Sequence, residues 1–247
     1  MKKAMKRFIA LASALVMVFA STVTVSAAQF TPEQIAAYLQ ALQAQQAAAA
    51  ATTQVPATPA IPNGILVIGD SITALSLPYV AGALPGATID ARSGRPFQDT
   101  MGSLPDDGLR VLSGYAAAGT LPKKVVIALG SNNNGVLGLA PINMDVMAQV
   151  YNICGPNRTV YLVTNYALGG NSDIATNNAV MNLAARTYSN FKILNWAGKA
   201  ASHPEWIDSL PYDPVTNPNG SDPNLPIYVH PTAQGSVAFA GTLAGAK

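Results

Sequence analysis

Five short apolar runs, separated by stretches of helical periodicity, constrain this chain more than any other feature of its sequence. The first is Ile65-Leu66-Val67-Ile68, and similar runs occupy residues 87–90, 125–129, 159–164 and 191–195. Each is too short for a helix, and the first is apolar at alternate and intervening positions alike, which suits a strand buried on both faces. Between them, residues 72–83, 97–118, 142–154 and 174–188 carry apolar side chains at helical spacing, and a last helix is predicted from Thr232 to near the C-terminus. Strands alternating with helices imply crossover connections and a parallel sheet covered on both sides. The predicted class is α/β: five parallel strands between two helical layers, built from residues 61–247. In such folds ligands bind outside the carboxyl ends of the strands, so the residues directly after each strand hold the functional information.

The 60 residues upstream differ in kind. Lys2, Lys3, Lys6 and Arg7 precede an apolar, small-residue stretch from Phe8 to Ala20, and Val25-Ser26-Ala27 has the small-x-small pattern of a cleavage site. That is the anatomy of a secretory signal peptide over residues 1–27, with an apolar stretch short of the ~20 residues of a spanning helix. The leader holds four of the 14 Lys+Arg and none of the 12 Asp+Glu. The remainder therefore has ten cationic against twelve anionic side chains, a net charge of −2. Such a surface gives no electrostatic reason to bind nucleic acid or an anionic membrane. Residues 28–60 read as an Ala/Gln-rich helical stub, opened by Thr31-Pro32-Glu33-Gln34, followed by a linker containing Pro56 and Pro59. The stub is either a tether for a cell-surface partner or a leader with none. Cys154 is the only cysteine and follows an apolar helical run, so no internal disulfide forms and the thiol is expected to be buried and inert. One Cys and two His are too few for a structural zinc site.

After the first strand comes Gly69-Asp70-Ser71, where Gly69 allows a sharp turn and Ser71 opens the next helix. A hydroxyl there sits beside free backbone N–H groups, which favours either a nucleophile or a simple helix cap. After the second strand comes Arg92-Ser93-Gly94-Arg95, and after the third Gly130-Ser131-Asn132-Asn133-Asn134-Gly135. The Asn-rich loop lacks the Lys and the spacing of a phosphate loop, leaving an amide donor into the site or a plain turn. Near the C-terminus, Val229-His230-Pro231-Thr232 precedes the last helix, where an imidazole can reach over the sheet end toward Ser71 and act as its base.

The order of these signals resembles the SGNH (GDSL-like) hydrolase superfamily over residues 64–247. Val160-Tyr161-Leu162-Val163-Thr164-Asn165, Asn195-Trp196 and His203-Pro204-Glu205-Trp206 look further like the SGNH domains of bacterial cell-surface O-acetyltransferases and their stand-alone relatives. The resemblance implies a flavodoxin-like three-layer sandwich. It makes Ser71 the nucleophile, His230 the base, and the Ser71 and Gly94 N–H groups with the Asn132 amide the oxyanion hole. Two positions depart from the family. Asn133 stands where Asp or Gly is usual, and Ile227 stands where an Asp normally orients the histidine. Three readings of the second remain: another carboxylate, with Asp222 and Asp208 the first candidates; a backbone carbonyl, giving a Ser–His dyad; or a protein that binds without turning over. His203 is a second candidate base, although His-Pro before Glu205 and Trp206 reads better as the start of a short turn.

These features together predict a secreted or cell-envelope serine esterase or O-acyltransferase. Its expected substrate is an acylated glycan or a small ester, and its chemistry needs no metal or organic cofactor. A glycan-binding scaffold on the same fold is the alternative.

Overall fold

The computed structural model of the chain describes residues 64–100, 106–209 and 227–247. The leader and the stub with its linker lie outside the described residues. Five strands form one all-parallel sheet: β1 (Ile65–Gly69), β2 (Thr88–Ala91), β3 (Lys124–Ala128), β4 (Thr159–Val163) and β5 (Phe191–Leu194), ordered β2-β1-β3-β4-β5. This is the flavodoxin-like order, whose reversal of direction at β1 and β3 opens a crevice at the carboxyl ends of those two strands. The register places Gly69 of β1 beside Ala91 of β2 and Ala128 of β3, so the segments following all three strands emerge side by side.

Alternation along the strands separates two cores, because successive side chains point to opposite faces. Leu66, Ile68, Val125, Ile127, Val160 and Leu162 pack on one face with α3 (Gly108–Ala117), α4 (Met144–Cys154) and α5 (Ser172–Thr187). Val67, Val126, Ala128 and Val163 face the other way, toward α1 (Ser71–Leu75), α2 (Leu77–Ala83), α6 (Trp196–Ala201) and α7 (Ala233–Leu243). On that second side Trp196 is wholly buried and meets the edge of Phe239 at 5.4 Å between ring centres, locking α6 against α7. Such an edge-to-face pair is worth ~1 kcal/mol beyond the area it buries. Because α7 carries the chain out of the His230 segment, this packing fixes where that segment lies.

Three helices differ from their sequence expectation. The stretch 72–83 forms two helices, since Pro78 withholds a backbone donor and the chain turns at Ser76, which caps the first and opens the second. The long helix expected over 97–118 starts only at Gly108, with the Asp107 side chain accepting from the Arg110 N–H at 2.9 Å. Ahead of it Phe97 lies in a loop, its N–H held by the Asn133 side chain at 2.6 Å. The tertiary bond outweighs local helical spacing there. Residues 244–246 leave α7 as a 3₁₀ turn, and Pro204–Trp206 forms another, as the His-Pro pattern suggested.

Candidate active site

Gly69 ends β1 and Asp70 begins the turn into α1. The backbone at Gly69 is not left-handed. Glycine is required for space instead, because a Cβ there would run into the Thr73 side chain one helical turn on. That close approach folds α1 back over the sheet and leaves Ser71 at its first position, 7% exposed. The Ser71 N–H has no carbonyl one turn earlier to bond, as at any helix start.

His230 arrives from the other end of the sequence. It lies between an isolated bridge pairing Leu168 with Tyr228 and another pairing Ile207 with Pro231. Its carbonyl accepts from the Asp208 N–H at 2.9 Å, and Thr232 caps α7 directly after it. Held this way, Nε2 of His230 lies 2.9 Å from Oγ of Ser71, a contact between residues 159 positions apart. The pair is partly buried, within the 2.6–3.2 Å reach that proton transfer requires. His203 is placed elsewhere: its Nδ1 meets Glu205 Oε1 at 2.9 Å and its ring stacks on Trp206 at 4.0 Å. Of the two histidines, His230 meets the serine.

The two loops expected to contribute donors stand beside this pair in the topology. Gly94 occupies a turn closed by the Arg95 N–H on the Arg92 carbonyl at 3.2 Å, with a φ of +75°. That left-handed value suits glycine, and a side chain there would project into open space. The Asn132 amide donates to the Arg95 carbonyl at 3.1 Å and makes a longer contact of 3.5 Å to Asp70 Oδ2. The loops after β2 and β3 are thus joined through Asn132. Asn133, the first departure from the family pattern, is a brace: its side-chain Oδ1 accepts from the Phe97 N–H, and its side-chain amide donates to the Gln98 carbonyl at 3.0 Å and the Ala140 carbonyl at 3.3 Å. Asn177 of α5 holds the loop from below, donating at 2.8 Å to the carbonyls of both Gly130 and Asn133.

Three residues beneath the site escaped sequence reasoning. Asp70 is wholly buried, and its Oδ1 accepts from the Ile72 N–H at 3.0 Å while Oδ2 accepts from the Ser131 hydroxyl at 2.5 Å. Burial pushes the Asp70 carboxyl up from 3.8 to about 6, opposed by the Ser131 hydrogen bond, the Ile72 N–H and the nearby Arg95 charge. Arg95 is itself 3% exposed; its guanidinium donates to the Gly69 carbonyl at 3.2 Å, the Asp90 carbonyl at 2.7 Å and Asp90 Oδ1 at 2.8 Å. The signal available in the sequence was proximity alone, each residue adjoining a candidate (Asp70 by Ser71, Ser131 by Asn132, Arg95 by Gly94).

Ile227 is partly buried and packs against the apolar core of the α6–α7 side, so the position the family gives to an orienting Asp serves packing here. Asp208 lies on the segment bonded to the His230 backbone, whereas Asp222 lies outside the described residues. Among the described residues no group of three or more His, Cys, Asp or Glu is placed to hold a metal ion, and no helix is long and apolar enough to cross a membrane.

No family model matches the chain, and no curated protein matches it. Solved structures do. The C-terminal catalytic domain of Streptococcus pneumoniae peptidoglycan O-acetyltransferase A, bearing a methylsulfonyl adduct, aligns at 22% identity and a TM-score of 0.56, covering 75% of this chain and 93% of that one. A member of the lipolytic G-D-S-L family from Veillonella parvula aligns at 12% identity and a TM-score of 0.51, covering 74% and 97%. The chain has the α/β fold that these proteins share.

Proposed function

We propose that this chain, an α/β protein with the fold of the SGNH (GDSL-like) hydrolases, is a serine acyl-transfer enzyme acting on ester bonds, with Ser71 as nucleophile and His230 as general base. The 2.9 Å contact between Ser71 Oγ and His230 Nε2 carries the proposal. In the first half-reaction Ser71 Oγ attacks the ester carbonyl and forms the acyl-oxygen bond as its proton passes to Nε2. The tetrahedral intermediate places its oxyanion toward the N–H groups of Ser71 and Gly94 and the Asn132 carboxamide. In the free protein the Asn132 amide donates to the Arg95 carbonyl at 3.1 Å and more weakly to Asp70 Oδ2 at 3.5 Å, and the weaker contact is the one exchanged for the oxyanion as it forms. Collapse expels the alcohol, which takes the proton from His230. The acyl group then passes from Ser71 to water or to a sugar hydroxyl.

The substrate proposed is an O-acetyl ester of an extracellular or cell-wall glycan. Three things support it: the secretory anatomy of residues 1–27, the low charge of the remainder, and the likeness to a peptidoglycan O-acetyltransferase domain. Either Asp208 or Asp222 orients His230, or a backbone carbonyl does so in a dyad; their Asn variants separate these readings, since only loss of an orienting carboxylate lowers kcat by orders of magnitude.

The test is release of acetate from an activated acetyl ester, with and without a glycan acceptor, by the wild type and by Ser71→Ala. The expected result is turnover by the wild type and a loss of at least ~10³-fold in Ser71→Ala. Acetylated acceptor among the products identifies a transferase, and acetate alone an esterase. A wild type with no turnover of any acyl ester would leave the binding-module reading in possession.

A further inference from the structure

The Asp70 side chain bonds to both halves of the site. Its Oδ1 holds the N–H of Ile72, the residue after the nucleophile, and its Oδ2 holds the hydroxyl of Ser131, the residue before Asn132. The same Oδ2 lies 3.5 Å from the Asn132 amide. We infer that Asp70 is a positioning residue: its carboxylate fixes the start of α1 against the loop after β3, and so sets Ser71 and the Asn132 carboxamide at working separation. This rests on the acyl-transfer reading given above.

Three observations support the role. Capping α1 requires only an oxygen at Oδ1, which Asn supplies as well as Asp. Receiving Ser131 and Asn132 on the other side requires a second acceptor oxygen, which Asn lacks because it presents an NH₂ group there. The side chain is also held where an ionised carboxylate is disfavoured: it is wholly buried, with burial pushing its pKa up to about 6. A residue retained at that cost in the interior, in contact with both candidate catalytic loops, fits a functional requirement better than a stabilising one. Arg95 completes the arrangement. Its guanidinium donates to the Gly69 carbonyl immediately before Asp70, and its own carbonyl takes the Asn132 amide.

Asp70→Asn isolates the role, because it preserves shape and the helix cap while turning one acceptor into a donor that faces the Asn132 amide. With an activated acetyl ester, kcat is expected to fall ~10–100-fold, less than the ~10²–10³ that removal of a whole oxyanion donor costs. KM should stay within about threefold, since ground-state contacts are not altered. The decisive comparison is a double-mutant cycle with Asn132→Ala. If Asp70 acts by placing Asn132, adding Asp70→Asn to Asn132→Ala lowers kcat by no more than about twofold further. Should Asp70→Asn not fold, as judged by circular dichroism and a cooperative melt, Ser131→Ala enters the same cycle, with a smaller expected loss of ~3–10-fold in kcat. The inference is overturned by an Asp70→Asn (or Ser131→Ala) enzyme as fast as the wild type or faster. Losses that multiply with those of Asn132→Ala overturn it as well. These outcomes require an active wild type, so failure of the inference is distinct from failure of the acyl-transfer reading, in which neither wild type nor variant turns over.

Discussion

Replacing Asp70 by Asn should make the protein's relative stability depend on pH in a direction that surface carboxylates do not produce. In the folded chain the Asp70 carboxyl titrates at about 6, up from 3.8, because it is wholly buried. Between those two values the folded state binds a proton that the unfolded state has lost. Stability contributed by this group is therefore present at low pH and declines as pH rises through the window from 3.8 to about 6. At 1.36 kcal/mol for each pH unit the full decline is ~3 kcal/mol, most of it between pH 4 and pH 7.5. Asn cannot titrate, so subtracting the two unfolding free energies cancels every other ionisable group. The assay is urea denaturation of both proteins at half-unit steps from pH 4 to pH 8. Asp70→Asn is expected to gain roughly 2–3 kcal/mol on the wild type as pH rises, with the difference flat above about pH 7. A constant difference, or one in which the variant loses ground with rising pH, would refute the placement of this carboxyl in an interior that disfavours its charge.

Two further outcomes follow from the braces around the site. Asn177→Ala leaves the Asn133 carbonyl and the Ile142 N–H without their buried partner, while the Gly130 carbonyl keeps only the Asn133 N–H at 3.3 Å. At ~1–3 kcal/mol for each of the two orphaned groups, partly relieved by relaxation, a destabilisation of ~2–4 kcal/mol is expected by denaturant titration, and a loss under ~1 kcal/mol would contradict the brace. Cys154 is wholly buried and its thiol is pushed up to about 12 by that burial. Native protein at pH 8 should therefore resist iodoacetamide and react fully once unfolded; rapid stoichiometric alkylation of the native chain would contradict the packing of α4.

The strands were legible because each is a run too short for a helix. The central β1, β3 and β4 are largely apolar and buried on both faces, whereas the edge strands β2 and β5 carry exposed positions and a weaker pattern. All five lie within a residue or two of where their runs stand. Helix ends with local chemistry were legible too, as where Thr232 caps α7 through the Gly235 N–H. What escaped was set by tertiary bonds. Phe97 has helical spacing with its neighbours yet is held in a loop by Asn133, 36 positions away. Gly69 suggested a turn residue from its place in the sequence; the contact that demands glycine is with Thr73 in the folded helix. Ser71, Gly94, Asn132 and His230 were singled out as candidates by their order along the chain, and of these the fold brings Ser71 and His230 into contact. Asp70, Ser131 and Arg95 join those positions from beneath, and nothing local distinguishes them from a cap, a loop hydroxyl and a surface cation.

The central claim is that Ser71 and His230 share a proton, and covalent labelling by a fluorophosphonate reports on it directly. Incubation of wild type and His230→Ala with such a reagent, followed by peptide mass spectrometry, measures both the site and the rate. The account predicts one adduct per chain, on Ser71, with a rate at least ~10³-fold lower in His230→Ala. No adduct on Ser71 under conditions that label a known serine esterase, or an equal rate in both proteins, would contradict it.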